Sequence, residues 1–190
     1  MAVQGDTMEN FRLAHALLIS TFAAFPTAVS AKSYTALKGE SRISYHIHHP
    51  LHEVEGVSQD FNCTVELGND TTRPQVHVKA SIASFNSGNS NRDSHTLEIL
   101  DAFKYPSVEF SADSAIRVEK GYRLFGQLTF HGVKRSVDFM VTPEYSKDRV
   151  HIKGNFMVKL SDFKLKRPTL LMIPTADDLK IDIDVAAEGP

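Results

Sequence analysis

The chain has 190 residues, with 21 Lys or Arg against 23 Asp or Glu for a net charge of −2, and 42 % of its residues are apolar. That balance suits a folded domain, and the lack of a basic block predicts no electrostatic footprint for nucleic acid or for anionic lipid surfaces. Cys63 is the only cysteine, so no intramolecular disulfide can form, and no apolar run reaches the length of a membrane-crossing helix.

From Met8 the sequence "MENFRLAHALLISTFAAFPTAVSA" sets one positive charge, Arg12, ahead of an apolar run over 13–25. Pro26 and the small residues Ala28, Val29, Ser30 and Ala31 follow. This order predicts a secretory signal over 1–31, cleaved after Ala31, rather than an amphipathic core helix. Met8 is the better start, because "MAVQGDT" puts an acid before the basic residue. The domain is then 32–190, about 159 residues with 20 basic and 21 acidic side chains.

Past residue 40 the dominant signal is period-two alternation. Ile43, Tyr45 and Ile47 alternate with Arg42, Ser44, His46 and His48. The same pattern places strands around Phe61–Cys63–Val65–Leu67, Val76–Val78–Ala80–Ile82 and Val108–Phe110. It continues through Tyr122–Leu124–Leu128–Phe130, Val137–Phe139–Val141, Val150–Ile152–Phe156–Val158 and Leu179–Ile181–Ile183–Val185. Turns are predicted at "LGND", "EKG", "HGVKR" and "YSKD". One helix is predicted over 91–103, capped by Ser90 or Asn91, with Leu97, Leu100 and Phe103 on its apolar stripe. Pro168 and Pro174 break the segment 161–178 too often for a strand interior.

Eight strands with one apolar face each, and too little helix to cover an open sheet, predict an all-β sandwich or closed barrel. An eight-stranded barrel is either filled by its side chains or holds one small ligand. Ala80, Ala112, Gly126 and Gly154 share the inward faces. They mark either barrel corners or room for a ligand, and alternation alone decides neither.

The stretch "RISYHIHHPLHEVEG" packs His46, His48, His49 and His52 into seven positions. His46 and His48 share the polar face of a strand, so two imidazoles at i and i+2, with His49 and with His52 beyond Pro50, offer a set for zinc or copper. No CxxC or HExxH completes that set, and the plainer expectation is histidines decorating the outside of a strand and its exit turn. Catalysis lacks a signature: no serine sits in G-x-S-x-G, and Cys63 alternates inward like an inert buried thiol.

The segments "SFNSGNSNRDSHTLEILDAFKYPSVEFSA" (84–112), "GQLTFHGVKRSVDFMV" (126–141) and "GNFMVKLSDFKLKRP" (154–168) resemble the YceI-like family of secreted bacterial lipid-binding proteins. The carrying features are an Arg–Asp pair before a histidine and leucine, "YP" before V-x-F-S, G-x-L-T-x-H-G-V, and a glycine-led strand running into L-S-D-F. The opening departs from the family's F-x-V-x-H, with His49 near the family histidine, and the tail "KRPTLLMIPTADDLKIDIDV" varies the usual glycine-containing loop.

The resemblance implies a lipocalin-like, eight-stranded antiparallel β-barrel with one short helix. Its elongated apolar cavity would hold a polyisoprenoid or quinone-like lipid. It also implies periplasmic or otherwise secreted residence and homodimers. On this basis the chain is expected to be a carrier and not an enzyme, with bound lipid in place of a cofactor and transient membrane contact as it works. Tyr45, Phe61, Val78, Phe110, Leu128, Phe139 and Phe156 are the expected wall. Arg92 and His95, at a helix start, either meet a polar head group or only tie the helix to the rim by hydrogen bonds. Two other functions stay open: a metal-binding stress protein using His46, His48, His49 and His52, and a filled barrel acting through its outer surface.

Overall fold

The computed structural model describes residues 32–68, 73–170 and 172–189, and the expected signal segment lies outside them. The strands are β1 (Lys32–Ala36), β2 (Arg42–His49), β3 (His52–Ser58), β4 (Phe61–Leu67), β5 (Gln75–Ser81), β6 (Ser107–Val118), β7 (Gly121–Phe130), β8 (Val133–Ser146) and β9 (Arg149–Lys159). A two-residue ribbon of β10 (Thr169–Leu170) and β11 (Ile173–Pro174) precedes β12 (Asp178–Glu188), and α1 spans Ser90–Ile99.

The order β1-β4-β5-β6-β7-β8-β9-β12 returns to β1, so eight antiparallel strands close a barrel, as expected. Two of the strands were not legible as alternation. In β1 the sequence KSYTA offers one large apolar residue, Tyr34. In β3 the inward positions are Val54, Gly56 and Ser58, the last two too small to register as apolar. The ring uses β1 where the sequence pattern pointed to β2. These two strands lie one after the other along β12, which pairs with β1 at Ala187 and Glu188 and with β2 from Leu179 to Asp184.

Ser41 fills the break between them. Its hydroxyl donates to the Ala186 carbonyl at 2.9 Å and accepts from the Ala186 amide at 3.1 Å, so a side chain stands in for the missing backbone ladder. Beyond β2, the free edge of β3 meets Asn86 through two backbone hydrogen bonds with Val57, one donated by each amide to the other's carbonyl, both 2.9 Å. The seam is thus shut twice, by β1–β4 below and by β2–β3 above.

The β7–β8 hairpin turns on His131 and Gly132, both at positive φ (49° and 70°), the twist a two-residue hairpin needs. Gly126 lies under the ring of Phe110, whose Cε2 would stand 2.6 Å from a Cβ there, and Gly154 lies 2.7 Å from the Met140 carbonyl by the same measure. These glycines therefore serve close approach and do not open space for a ligand.

The helix starts one position earlier than expected, with Asn89 as its cap, accepting from the Arg92 amide at 3.1 Å. Leu97 and Leu100 pack on the barrel core, but Phe103 does not: it is 100 % exposed. The reason is local. The helix ends at Ile99, and Asp101 takes a left-handed conformation (φ 45°) that turns Phe103 outward.

Candidate functional site: an apolar cavity in the barrel

The inward faces leave a cavity of about 360 Å³. On one side its wall is aromatic. Phe139 stacks on Phe156 with centroids 4.5 Å apart and planes at 17°, and Phe110 meets Phe139 at 5.2 Å and 51°. Of the expected wall residues, Tyr45, Val78, Phe110, Leu128, Phe139 and Phe156 all line this space. Phe61 is not among the lining residues. It is buried beside its small cross-strand partner Ala80, in a second core cluster with Tyr34, Val150 and Val185, where it serves packing. Strand alternation finds the inward face but does not say which inward residues touch one another and which touch the void.

Polar groups concentrate where the tops of β2, β6 and β12 meet α1, here called the helix end. The Tyr45 hydroxyl reaches Thr96 of α1 and lies near Asp93 and Arg92; burial pushes it above the ordinary value of 10.0, while the hydrogen bond to Thr96 pulls the other way. Thr96 in turn donates to the Arg92 carbonyl at 2.9 Å. Arg92 and His95 line the cavity at its rim. Arg92 also binds Ser87, donating from Nε to Oγ at 2.9 Å and from Nη2 to the carbonyl at 2.6 Å, while Asp93 accepts from the Ser87 amide at 3.1 Å. So Arg92 and Asp93 fasten the helix to the loop just before it, not to the barrel rim. His95 does not: it is exposed, with Glu98 at 3.6 Å.

Sequence reasoning missed Thr175. It lines the cavity between β11 and β12, and among the described residues its Oγ1 is the buried side-chain polar atom without a hydrogen-bond partner. Nothing in "MIPTADD" could have singled it out. At the opposite end Tyr34, Tyr122 and Tyr145 line the cavity together; burial, then the neighbouring Tyr122 and Tyr34, raise Tyr145.

The four histidines divide. His46 points outward, its Nε2 2.9 Å from Asp182 and 3.7 Å from Glu55, and His48 points outward onto Glu53. His49 corrects the expectation of outward decoration, because it is 1 % exposed. The inward series Ile43, Tyr45, Ile47 simply continues to it. The Leu51 amide donates to its Nδ1 at 3.2 Å, so Nε2 carries the proton and donates to the Ile173 carbonyl at 3.0 Å. His52 is exposed, with its ring 5.3 Å from that of His49. The described residues hold no group of three or more His, Cys, Asp or Glu placed for a metal, and the expected ligand set comes apart across the two faces of β2. The metal reading is unsupported. Cys63 lies in the wall, its thiol pushed up to about 11 by burial, the opposite of an activated nucleophile.

The fold recurs in related proteins. A YceI-like domain model matches residues 34–187. A UPF0312 protein of Pseudomonas putida is 28 % identical over 148 residues, 72 % of this chain and 73 % of its own, and one from Pseudomonas fluorescens is 27 % identical over the same span. Among solved structures, BcnA of Burkholderia cenocepacia superposes with a TM-score of 0.72 at 20 % identity, covering 80 % of this chain and 98 % of its own. A polyisoprenoid binding domain from Saccharophagus degradans gives 0.65 at 13 %, covering 83 % and 98 %. The fold and the span of the match agree: this chain belongs to the YceI-like domain family.

Proposed function

We propose that this protein is an exported, non-catalytic carrier that holds one long apolar lipid, an isoprenoid or quinone-like chain, inside the barrel. The observation that carries this reading is the cavity itself: an aliphatic and aromatic interior with its charged side chains at the helix end and hydroxyls at both ends, Thr96 and Thr175 at one and Tyr34, Tyr122 and Tyr145 at the other. Such a site binds by burial, at about 0.8 kcal/mol per methylene, and needs no specific polar contact along the chain. Tyr45, Val78, Phe110, Leu128, Phe139 and Phe156 form the wall. The unpartnered hydroxyl of Thr175, with Tyr45, Thr96 and Arg92, gives a ligand's hydroxyl or carbonyl end somewhere to be satisfied. At roughly 30 Å³ per water-sized group, 360 Å³ takes about a dozen such groups, so a longer chain has to displace α1 or emerge from the barrel. The polyisoprenoid binding domain of Saccharophagus degradans supports this class of ligand, and the family supports export.

Native mass spectrometry of protein produced with residues 1–31 and recovered from the periplasm, before and after organic extraction, tests the reading. A discrete extra mass removed by extraction is the expected result. A clean apo mass with no uptake of added prenols or quinones would overturn it in favour of a barrel acting through its outer surface.

A further inference from the structure

Four of the eight exposed large apolar side chains among the described residues stand at the helix end, including the two most exposed. Ile116, Met140, Tyr145 and Met157 are spread over the outer wall and the far end. Phe103, just past α1, is 100 % exposed; Met172 and Ile173, in and after the β10–β11 turn, are 93 % and 38 % exposed; Leu51, in the β2–β3 turn, is 56 % exposed. The turns carrying Leu51 and Ile173 are tied together by His49, so these side chains occupy one rim. Phe103 occupies the other, over the β7–β8 turn, where the ring of the nearby Tyr105 packs on His131 at 4.5 Å. Apolar side chains thus stand on both sides of the end that holds the cavity's charged groups. A water-facing rim gains nothing from them.

The sequence holds no basic block, yet the fold sets cations without an ion-pair partner beside these side chains. Lys104, Lys134, Lys164, Lys166 and Arg167 make no ion pair among the described residues. Asp101, Asp162 and Asp177 lie among them, and Asp177 is held by the Ser161 hydroxyl and amide. Of the other acids of this end, Asp93 is held by Ser87, Asp178 faces Lys159, and Glu53 and Glu98 face the imidazoles of His48 and His95. Phe103 next to Lys104, and Met172 close to the KLKR run at 164–167, give apolar tips flanked by cations. That pairing suits a bilayer with anionic head groups: the tips enter the acyl boundary and the cations stay at the phosphates.

From this we propose that the helix end docks on an anionic bilayer surface through Phe103, Met172, Ile173 and Leu51, so that a lipid passes between membrane and cavity without crossing water. The proposal rests on the lipid-carrier reading for its purpose, but its geometry stands independently. The membrane would touch the end at which α1 and the β10–β11 ribbon, the two elements outside the barrel ladder, must shift to admit a chain.

The full chain contains no tryptophan, so single substitutions report position cleanly. Phe103→Trp, Met172→Trp and, as the control on the outer wall towards the far end, Ile116→Trp are mixed with vesicles of phosphatidylcholine with and without phosphatidylglycerol. The expected result is a blue-shifted emission, quenched by brominated acyl chains, at 103 and 172 but not at 116. It appears with phosphatidylglycerol and fades with added salt. Replacing Lys164, Lys166 and Arg167 by Gln should weaken the vesicle titration about a hundredfold, near 1 kcal/mol of attraction per basic residue being lost from the surface.

No shift at 103 and 172, or an equal shift at 116, overturns the proposal; so does binding driven by residues 1–31, which would leave all three probes in water. A concentration-dependent shift without vesicles would assign the rim to a second copy of the chain and also overturn it. Ligand retention in native mass spectrometry is read separately, so a failure of docking is distinguishable from a failure of the carrier reading.

Discussion

The ring of Tyr45 lies over the backbone of Gly56, its antiparallel partner on β3, so closely that a Cβ there would stand 2.5 Å from the ring's Cζ. A glycine on the inward face of β3 is what lets the ring lie flat and its hydroxyl reach Thr96. Gly56→Ala should push the ring into the cavity, with an expected cost of about 1–3 kcal/mol from overpacking. Lipid retention should fall more than stability does, because the displaced ring occupies ligand space. Denaturant titration together with a lipid-uptake assay checks this, and unchanged retention would show that the ring has room to move elsewhere.

His49 joins two turns that the barrel ladder leaves unsupported. His49→Ala removes a buried side chain together with its hydrogen bonds to the Leu51 amide and the Ile173 carbonyl, each bond worth about 0.5–1.5 kcal/mol and the vacated space adding to the cost. A loss of about 2–4 kcal/mol is expected, a drop of roughly 5–15 °C in Tm at this size. Limited proteolysis should then cut within 168–176, which is held to the barrel by His49 and by the Ala176 amide on the His48 carbonyl at 2.8 Å. An unaltered digestion pattern would mean the ribbon is anchored without the imidazole.

Neighbouring residues on β8 separate inside from outside. Phe139 is buried between Phe110 and Phe156, whereas Asp138 pairs with Arg123 on the outer face at 2.5 Å. Phe139→Ala should cost about 3–5 kcal/mol and change the length or amount of lipid retained, and Phe139→Asp should abolish retention. Asp138→Ala removes an exposed ion pair worth about 0–1 kcal/mol and should leave retention intact. Equal loss from Asp138→Ala and Phe139→Asp would contradict the register of β8.

Much of this architecture is legible in the order of residues, and the gaps have physical causes. Period-two alternation finds each strand whose inward face is Val, Ile, Leu or Phe, so β4 to β9 and β12 stand out. It misses β3, where Gly56 faces inward to make room for Tyr45, and β1, which contributes little besides Tyr34. The same periodicity, carried one step further along β2, puts His49 inside; reading four histidines as one cluster hid this. Phe103 falls at helical spacing, yet the left-handed Asp101 ends the helical path before it. Thr175 had no local signal, because its importance comes from a missing partner, and that is a property of the packed barrel.

Thr175 gives the converse of these cases. Its Oγ1 is buried without a hydrogen bond, a condition that costs about 1–3 kcal/mol in the empty barrel. Thr175→Val keeps the shape and removes the orphan, so the apo protein should become more stable by about 1 kcal/mol in urea unfolding. If a ligand's polar end uses this hydroxyl, the variant should lose affinity for a prenol or quinone but keep it for the matching hydrocarbon. Equal affinity for both would place the polar end elsewhere.

Cys63 links the cavity wall to alkaline stability. Burial raises its thiol from 9.0 to about 11, so between those values the folded chain keeps a proton that the unfolded chain releases. The native state then binds more protons than the unfolded state, and stability must fall as pH rises through this window. The contribution is fully present below pH 9 and declines by up to about 1.4 kcal/mol per pH unit, on the order of 3 kcal/mol in all. Cys63→Ala removes this slope. Urea midpoints for the two proteins from pH 8 to pH 10.5 should therefore diverge as the wild type weakens, and maleimide labelling of the wild type at pH 8 should require unfolding. Parallel curves, or rapid labelling of the folded protein, would mean the thiol meets water through the cavity.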